Sequence, residues 1–219
     1  MKSIVLISCL VMTSAMAHAS AERLVWGFLV KGTATRPDNA TVERMQTAHI
    51  DNFKRLFGLG KLLTAGPVQD PTTVRRGIVI LTPGKPAELK ERFLPDPYVQ
   101  SGLMNLVLTE VDVQFGKIQT SGIDPDGIVE NRLVIFVRKE GSRSRRREHL
   151  NCLRKNGAGA NLAFLATARK QADFDSVALF RGTDDAQIEA LLAKDPAVAS
   201  GDLTVVKMPQ WLSKGILGG

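Results

Sequence analysis

The chain has 219 residues, 44% of them hydrophobic, and a formal net charge of +7. This length suffices for two hydrophobic cores of about a hundred residues each, and the basic balance favours acidic partners, anionic surfaces or nucleic acid. The two cysteines are Cys9 and Cys152; because Cys9 lies in a predicted signal peptide, the mature chain is predicted to have neither an intrachain disulfide nor a multi-cysteine metal site.

The first 19 residues match a secretory signal peptide. Lys2 precedes an apolar run from Ile4 to Met12 and the small-residue sequence Ala17-His18-Ala19, a pattern typical of a signal that is cleaved after its last alanine. A membrane anchor is the alternative, but the run is shorter than the about 20 residues that a spanning helix needs. We therefore predict a periplasmic or secreted protein with no membrane partner after cleavage.

Hydrophobic periodicity in the first half predicts a strand, a long helix, two strands, a shorter helix and a last strand. The strands are predicted at 24–30, 62–68, 76–81 and 106–114. The first helix begins at Pro37-Asp38-Asn39 and ends before Gly58 and Gly60, and the second runs from Pro86 to about Phe93.

The second half repeats this order of elements. Strands are predicted at 132–138, 162–168, 176–180 and 203–207, and helices at 142–155 and 184–193, with Thr183 as an N-cap. Each half therefore has the order β-α-β-β-α-β, in which two helices cover one face of a four-stranded antiparallel sheet. The predicted organisation is a signal peptide at 1–19, a first domain at 20–116, a turn-rich linker at 117–130 and a second domain at 131–219.

One heptapeptide occurs twice. Asp96-Pro97-Tyr98-Val99-Gln100-Ser101-Gly102 returns 99 positions later as Asp195-Pro196-Ala197-Val198-Ala199-Ser200-Gly201, with five of seven positions identical. A fixed period in sequence indicates a repeated structural unit. Since each sheet leaves one face open, two copies in one chain predict an intrachain pseudo-dimer.

The first half also carries a set of short motifs in a defined order: Phe28-Leu29-Val30-Lys31-Gly32, His49, Gly60-Lys61-Leu62-Leu63-Thr64-Ala65-Gly66-Pro67, Asp70, Arg76-Gly77 and Asp96-Pro97. In this order and spacing, residues 24–115 resemble the YciI-like (YCII-related) domain family. The second half matches through His149, Asp195-Pro196-Ala197-Val198 and Met208-Pro209-Gln210-Trp211. It lacks the Gly-Pro step and a clear counterpart of Asp70, so it resembles a diverged copy.

The resemblance implies an α+β fold: two tandem ferredoxin-like β-α-β-β-α-β domains that form an intrachain pseudo-dimer of the dimeric α+β barrel type. It also implies a His/Asp acid–base pocket. One member of the family is a dehydrochlorinase that acts on a chlorinated hydroquinone, while most members look like enzymes without a known reaction. The family therefore implies a pocket rather than a substrate.

His49 is a candidate catalytic residue. It lies four residues after Met45 and four before Phe53, on the apolar stripe of the predicted helix. Two interpretations stay open: a structural histidine bonded to a backbone carbonyl, or a pocket residue that takes and gives a proton near neutral pH.

Asp70 and Asp96 complete the candidate catalytic set. The topology places both at the edge of the domain where the first helix begins, whereas His49 lies about nine residues into that helix, roughly 13 Å from the edge. Contact between His49 and Asp70 therefore requires Asp70 to fold into the pocket, or a bridging water. Asp96 precedes a proline, which is typical of a turn residue that caps backbone groups, and a catalytic role is the alternative.

Lys31, Arg76, Arg145 and His149 are candidate ligand-binding residues. Lys31 ends the first strand at the same edge, and Arg76 either orients the strand hairpin or binds an anion. Arg145 takes the place of Met45 in the second copy, four residues before His149. If that helix face points inward, the two side chains form a cationic pocket for a carboxylate or phosphate; if the helix is slightly rotated, Arg145 is solvated.

The sequence lacks a nucleophile elbow, a phosphate-binding glycine loop and a metal-ligand cluster, so no cofactor and no metal are predicted. The basic stretch from Arg138 to Lys155 lacks the interleaved aromatic residues that stack on bases, so no nucleic-acid partner is predicted. The expected partner is a small-molecule ligand, anionic or aromatic, and a homo-oligomer is a further option.

Two functions stay open. The first is acid–base catalysis, by elimination, isomerisation or hydrolysis, on a small organic molecule in the His/Asp pocket. The second is a non-catalytic periplasmic module that binds a small ligand or another protein, with both histidines structural. The surroundings of His49 distinguish them, because a catalytic imidazole needs a carboxylate within hydrogen-bond reach and access to solvent.

Overall fold

The computed structural model describes residues 21–170 and 172–218. The predicted signal peptide lies outside these residues. No helix in the described part is long and apolar enough to cross a membrane.

The first half follows the predicted order, with one addition. Its elements are β1 (Arg23–Lys31), α1 (Asn39–Gly58), β2 (Leu62–Pro67), β3 (Arg75–Leu81), α2 (Pro86–Glu91), α3 (Pro97–Gln100) and β4 (Met104–Gly116). The start of α1 is fixed by Asp38, whose side chain accepts a hydrogen bond from the backbone of Thr41 at 2.9 Å. The addition is α3, a one-turn helix formed by the first Asp-Pro segment and capped by Asp96.

The second half has the same order: β5 (Asp124–Arg138), α4 (Arg146–Asn156), β6 (Leu162–Ala168), β7 (Ser176–Arg181), α5 (Asp185–Leu192), α6 (Pro196–Ala199) and β8 (Leu203–Lys214). The predicted linker is wrong in part, because residues 124–130 are strand. They pair with the end of β8, which itself runs beyond its predicted end. The predicted cap at Thr183 is also wrong: Asp184 caps α5 by accepting from the backbone of Gln187.

All eight strands described form one antiparallel sheet, in the order β2-β3-β1-β4-β6-β7-β5-β8. Each half is the predicted ferredoxin-like unit, and the two units join edge to edge where β4 pairs with β6. At the other end of the sheet, β8 meets β2 through the bridge between Val68 and Gln210 and a 3.0 Å bond from Gln69 N to Pro209 O. The sheet is therefore nearly closed into a barrel.

The two junctions are related by the repeat but differ in strength. The bridge of Val68 to Gln210 corresponds to the pair Ala168 to Val111 at the β4–β6 junction. There the ladder continues through Thr167, whereas Pro67 stands at the equivalent position of β2 and has no N–H to donate. The β8–β2 junction therefore stays a single bridge.

The described residues form three hydrophobic clusters, and the largest lies inside the nearly closed sheet and contains residues of both halves. There Trp26 stacks on Phe164 at a centroid distance of 6.2 Å, and Phe28 meets Phe174 edge-on at 5.9 Å. The other two clusters lie beneath the helices, one in each half. Because the halves share the inner cluster, each stabilises the other.

The close approach at the β8–β2 junction makes Gly66 sensitive to substitution. A Cβ added there would lie 1.8 Å from the carbonyl oxygen of Trp211. We expect Gly66→Ala to lower the free energy of unfolding by roughly 1–3 kcal/mol, because the junction must open to admit the methyl group. Gly58→Ala is the matched control, since a Cβ there meets nothing within 4 Å. Urea unfolding measures both, and equal stability of the two variants would contradict the close junction.

Candidate functional site

His49 lies in the middle of α1 and is paired with Asp96. Its Nδ1 is 2.5 Å from Asp96 Oδ2, and both residues are buried. The other oxygen, Asp96 Oδ1, accepts from the backbone N–H of Tyr98 and Val99 at the start of α3. An ionised carboxylate only accepts hydrogen bonds, so the proton of the neutral imidazole is on Nδ1 and a lone pair is left on Nε2.

The Nε2 atom of His49 makes no hydrogen bond to any residue that the structure describes, and the His49 side chain is 9% exposed, against 0% for His149. The imidazole lies between aromatic rings, with centroid distances of 4.2 Å to Phe53 and 5.2 Å to Tyr98. The Tyr98 hydroxyl donates to Gln46 Oε1 at 3.1 Å, and burial raises the pKa of this phenol. The site thus offers one proton acceptor among apolar and aromatic surfaces.

The second copy contains the same pair in a closed form. His149 Nδ1 is 2.6 Å from Asp195 Oδ2, and Asp195 Oδ1 accepts from the backbone of the following turn. His149 Nε2 lies 2.8 Å from Ser176 Oγ, and His149, Asp195 and Ser176 are each 0% exposed. The Phe136 ring packs 4.5 Å from the imidazole. Both nitrogens of His149 are therefore used inside the protein.

Asp70 does not reach His49 but instead organises the turn between β2 and β3. Its carboxylate accepts from the backbone N–H and hydroxyl of Thr72 and from the backbone N–H of Arg75. Burial opposes ionisation, but these hydrogen bonds outweigh it and hold the pKa of Asp70 below its usual value. Asp96, not Asp70, is the carboxylate that the fold brings to His49.

Lys31 and Arg76 both have exposed side chains, at the end of β1 and on β3. The neighbouring Arg75 holds the hairpin instead: it is paired with Asp70 at 3.3 Å and lies over the Phe28 ring at 5.1 Å. The arginine that orients this turn is therefore one position before the predicted one.

The predicted cationic pocket of Arg145 and His149 is not formed. Arg145 is the N-cap residue of α4, and its side chain turns to Asp202, with Nε 2.9 Å from Oδ2. His149 points into the core, so the two residues face different surroundings.

Two open grooves of about 470 and 560 Å³ in the described part of the chain are lined mainly by the second half, and neither is lined by a histidine. The larger groove is basic and includes Arg146, Arg147 and Arg154. The described residues contain no group of three or more His, Cys, Asp or Glu side chains placed to hold a metal ion.

Sequence reasoning missed two buried polar residues of the second copy. The first is Ser176, which satisfies His149. The second is Asp175, which is 3% exposed and pairs with Arg138 and, at 2.8 Å, with Arg146. The available signal was the 99-residue period, which relates Gly77 to Ser176 and Arg76 to Asp175.

Solved structures with a similar fold support the architecture. The chain is similar to a candidate monooxygenase from Fusobacterium nucleatum, with 13% identity, a TM-score of 0.52 and coverage of 90% of this chain and 94% of that one. A candidate monooxygenase from Lactobacillus acidophilus has 13% identity and a TM-score of 0.50, with coverage of 86% and 93%. A variant of chlorite dismutase from Candidatus Nitrospira defluvii has 9% identity and a TM-score of 0.52, with coverage of 88% and 92%.

These likenesses confirm the predicted fold class, a dimeric α+β barrel built within one chain. No protein-family model and no curated protein matches the chain. At these identities the likeness shows the fold alone.

The buried Asp175 generates a prediction about acid stability. Burial opposes its ionisation, but the two arginines outweigh this effect and hold the pKa of Asp175 below its usual value. Its contribution is therefore complete above the unfolded-state pKa, about 3.9, and is lost as pH falls through the lower folded-state value. We expect Asp175→Asn to be about 1–3 kcal/mol less stable than wild type at pH 7, with the gap closing towards pH 2. Urea unfolding across this range measures the gap.

Asp173→Asn is the control for this prediction, because Asp173 is exposed and two residues away. It should follow wild type at every pH. A gap for Asp175→Asn that stays constant down to pH 2 would contradict the assigned ion pairs.

Proposed function

We propose that the protein binds a small organic molecule at His49 and that His49 and Asp96 act on it as an acid–base pair. The observation that carries this proposal is the state of the imidazole. Its Nδ1 is held by a buried carboxylate, while Nε2 has no hydrogen-bond partner in the described chain and the side chain is 9% exposed. A histidine held in this way presents a lone pair in a fixed direction.

The chemistry follows from the two nitrogens. Nε2 takes a proton from a bound C–H, O–H or water, and Asp96 stabilises the resulting imidazolium through its bond to Nδ1. The proton can then return to a different atom of the bound molecule or to a leaving group. This supports elimination, isomerisation or hydrolysis, and positioned acid–base catalysis of this kind contributes about 10²–10⁴-fold in rate.

Two further observations support a small-molecule role. Proteins with a similar fold carry names of enzymes, namely candidate monooxygenases and a chlorite dismutase. The motifs around His49 resemble the YciI-like family, and we propose that the chain is a two-copy member of it. Non-catalytic binding is the second candidate function, and the observation that favours it is His149, since the same His–Asp pair there is sealed by Ser176 and Phe136 and is structural.

We also propose that the protein acts after export, because residues 1–19 have the pattern of a cleaved signal. Expression of the full chain in a bacterial host, followed by mass spectrometry of the periplasmic and extracellular fractions, should show a mature protein that begins at Ser20. Recovery of only the full-length chain from the cytoplasm would contradict export.

The assignment of Asp96, and not Asp70, as the partner of His49 is tested by comparing ligand binding of variants at the two aspartates. A thermal-shift screen of small acids and phenols identifies a ligand, since a ligand that binds the folded state raises the melting temperature, and a tighter ligand raises it more. We expect His49→Gln and Asp96→Asn to weaken its binding at least tenfold in calorimetric titration. Asp70→Asn should leave the affinity unchanged while lowering stability, because Asp70 serves a turn.

Two outcomes separate the interpretations. If His49→Gln binds the ligand as tightly as wild type, the proposed site is wrong. If the wild-type protein binds the ligand but NMR shows neither conversion nor exchange of its acidic protons, the binding function stands and the catalytic one does not. Circular dichroism verifies that each variant is folded.

A further inference from the structure

The two histidine sites differ at one strand position. In β1 and β3, Leu29 pairs with Gly77, and in β5 and β7, Phe136 pairs with Ser176. The other neighbours agree, because Leu29 also pairs with Leu106 while Phe136 pairs with Val205. Gly77 and Ser176 are thus 99 positions apart, like Asp96 and Asp195. Gly77 is the structural counterpart of the serine that satisfies His149.

Gly77 lies on the helix-covered face of β3, which it shares with Val79 and Leu81 of the cluster beneath α1. A Cβ added at Gly77 would lie 3.0 Å from Gly66 O, and its nearest side-chain atom would be Leu29 Cδ1 at 3.7 Å. In the first copy, the place that the serine hydroxyl fills in the second copy therefore has no side chain of its own.

The residues around the two imidazoles also differ between the copies. Where the first copy has Leu29, the second has Phe136, whose ring packs on the imidazole. Tyr98 corresponds to Ala197 at the same offset of 99, and Phe53 corresponds to Leu153 at the offset of 100 that relates His49 to His149. The second copy therefore surrounds its imidazole with Ser176 and Phe136, while in the first copy the rings of Phe53 and Tyr98 flank the imidazole.

We infer that the ligand of the first copy carries a hydroxyl group that binds His49 Nε2 in the position that Ser176 Oγ takes beside His149. The serine hydroxyl, 2.8 Å from His149 Nε2, is an internal template for this contact. The body of the ligand is apolar, because Phe53 and Tyr98 flank the imidazole and Leu29 is the strand partner of Gly77. The substrate class is a small alcohol or phenol. This inference rests on the proposed function and specifies it further.

The Ser176 hydroxyl as a template predicts the effect of exchanging Gly77 and Ser176 between the two copies. Gly77→Ser supplies the hydroxyl from within the protein, so the ¹⁵N resonance of His49 Nε2 should move towards that of His149, and ligand binding should weaken at least tenfold. Gly77→Ala is the matched control, because it adds the same Cβ without a hydroxyl. It should leave the His49 resonance close to its wild-type position.

The reciprocal variant keeps the test decisive if the crowding near Gly66 prevents Gly77→Ser from folding. Ser176→Gly removes the hydroxyl from the second copy. The Nε2 resonance of His149 should then move towards the wild-type position of His49. If neither exchange moves either resonance, the equivalence of the two sites is overturned.

The hydroxyl itself is tested with a panel of small alcohols and phenols, each compared with its methyl ether. We expect the hydroxyl compound to bind about three- to tenfold more tightly than its ether, the effect of one hydrogen bond, and His49→Gln to abolish the difference. Binding that depends on His49 but is equal for hydroxyl compounds and their ethers, or is limited to acids, contradicts the hydroxyl inference and leaves the proposed function standing. If binding is independent of His49, both fail.

Discussion

Both sites depend on a buried carboxylate, Asp96 in the first copy and Asp195 in the second, that forms hydrogen bonds to two different helices. In each copy an Asp-Pro segment forms a one-turn helix; one aspartate oxygen caps its backbone, and the other holds the histidine of the long helix. A buried carboxylate is stable only when it is fully hydrogen-bonded, so cap and histidine depend on each other. The repeated Ser-Gly ends the same turn, with φ of +73° at both Gly102 and Gly201. The heptapeptide repeat therefore forms a tether, by which we mean that its one-turn helix is bonded to the longer helix through the aspartate and the histidine.

This tether is equal in the two copies, but its consequences are not. It fixes Nδ1 in both, so the fate of Nε2 depends on what the neighbouring strand offers. In the second copy this strand residue is Ser176. The side chains of His149, Asp195 and Ser176 are all buried there and form hydrogen bonds within the protein. The first copy has Gly77 at the equivalent position, so no side chain of this strand position can form a hydrogen bond to Nε2 of His49. The two halves thus share one architecture, and the proposed function is confined to the first of them.

The sequence predicted the order of strands and helices well, because hydrophobic periodicity and turn residues are local signals; β6 has its predicted bounds. The predicted linker was wrong at residues 124–130 because these residues form a strand by pairing with the end of β8, which is distant in sequence. The partner of His49 could not be chosen between Asp70 and Asp96, since both lie at one edge of the topology and only side-chain direction separates them. Ser176 has no local motif, and the strand register alone brings it to His149.

Chemical modification of the histidines tests the central claim most directly. The mature chain is expected to contain two histidines, His49 and His149, and diethylpyrocarbonate acylates an accessible imidazole nitrogen. Mass spectrometry of the folded protein at neutral pH should show modification of His49 and protection of His149, with both modified after unfolding in urea. Equal modification of the two in the folded protein, or protection of both, would contradict an open first site and a closed second one.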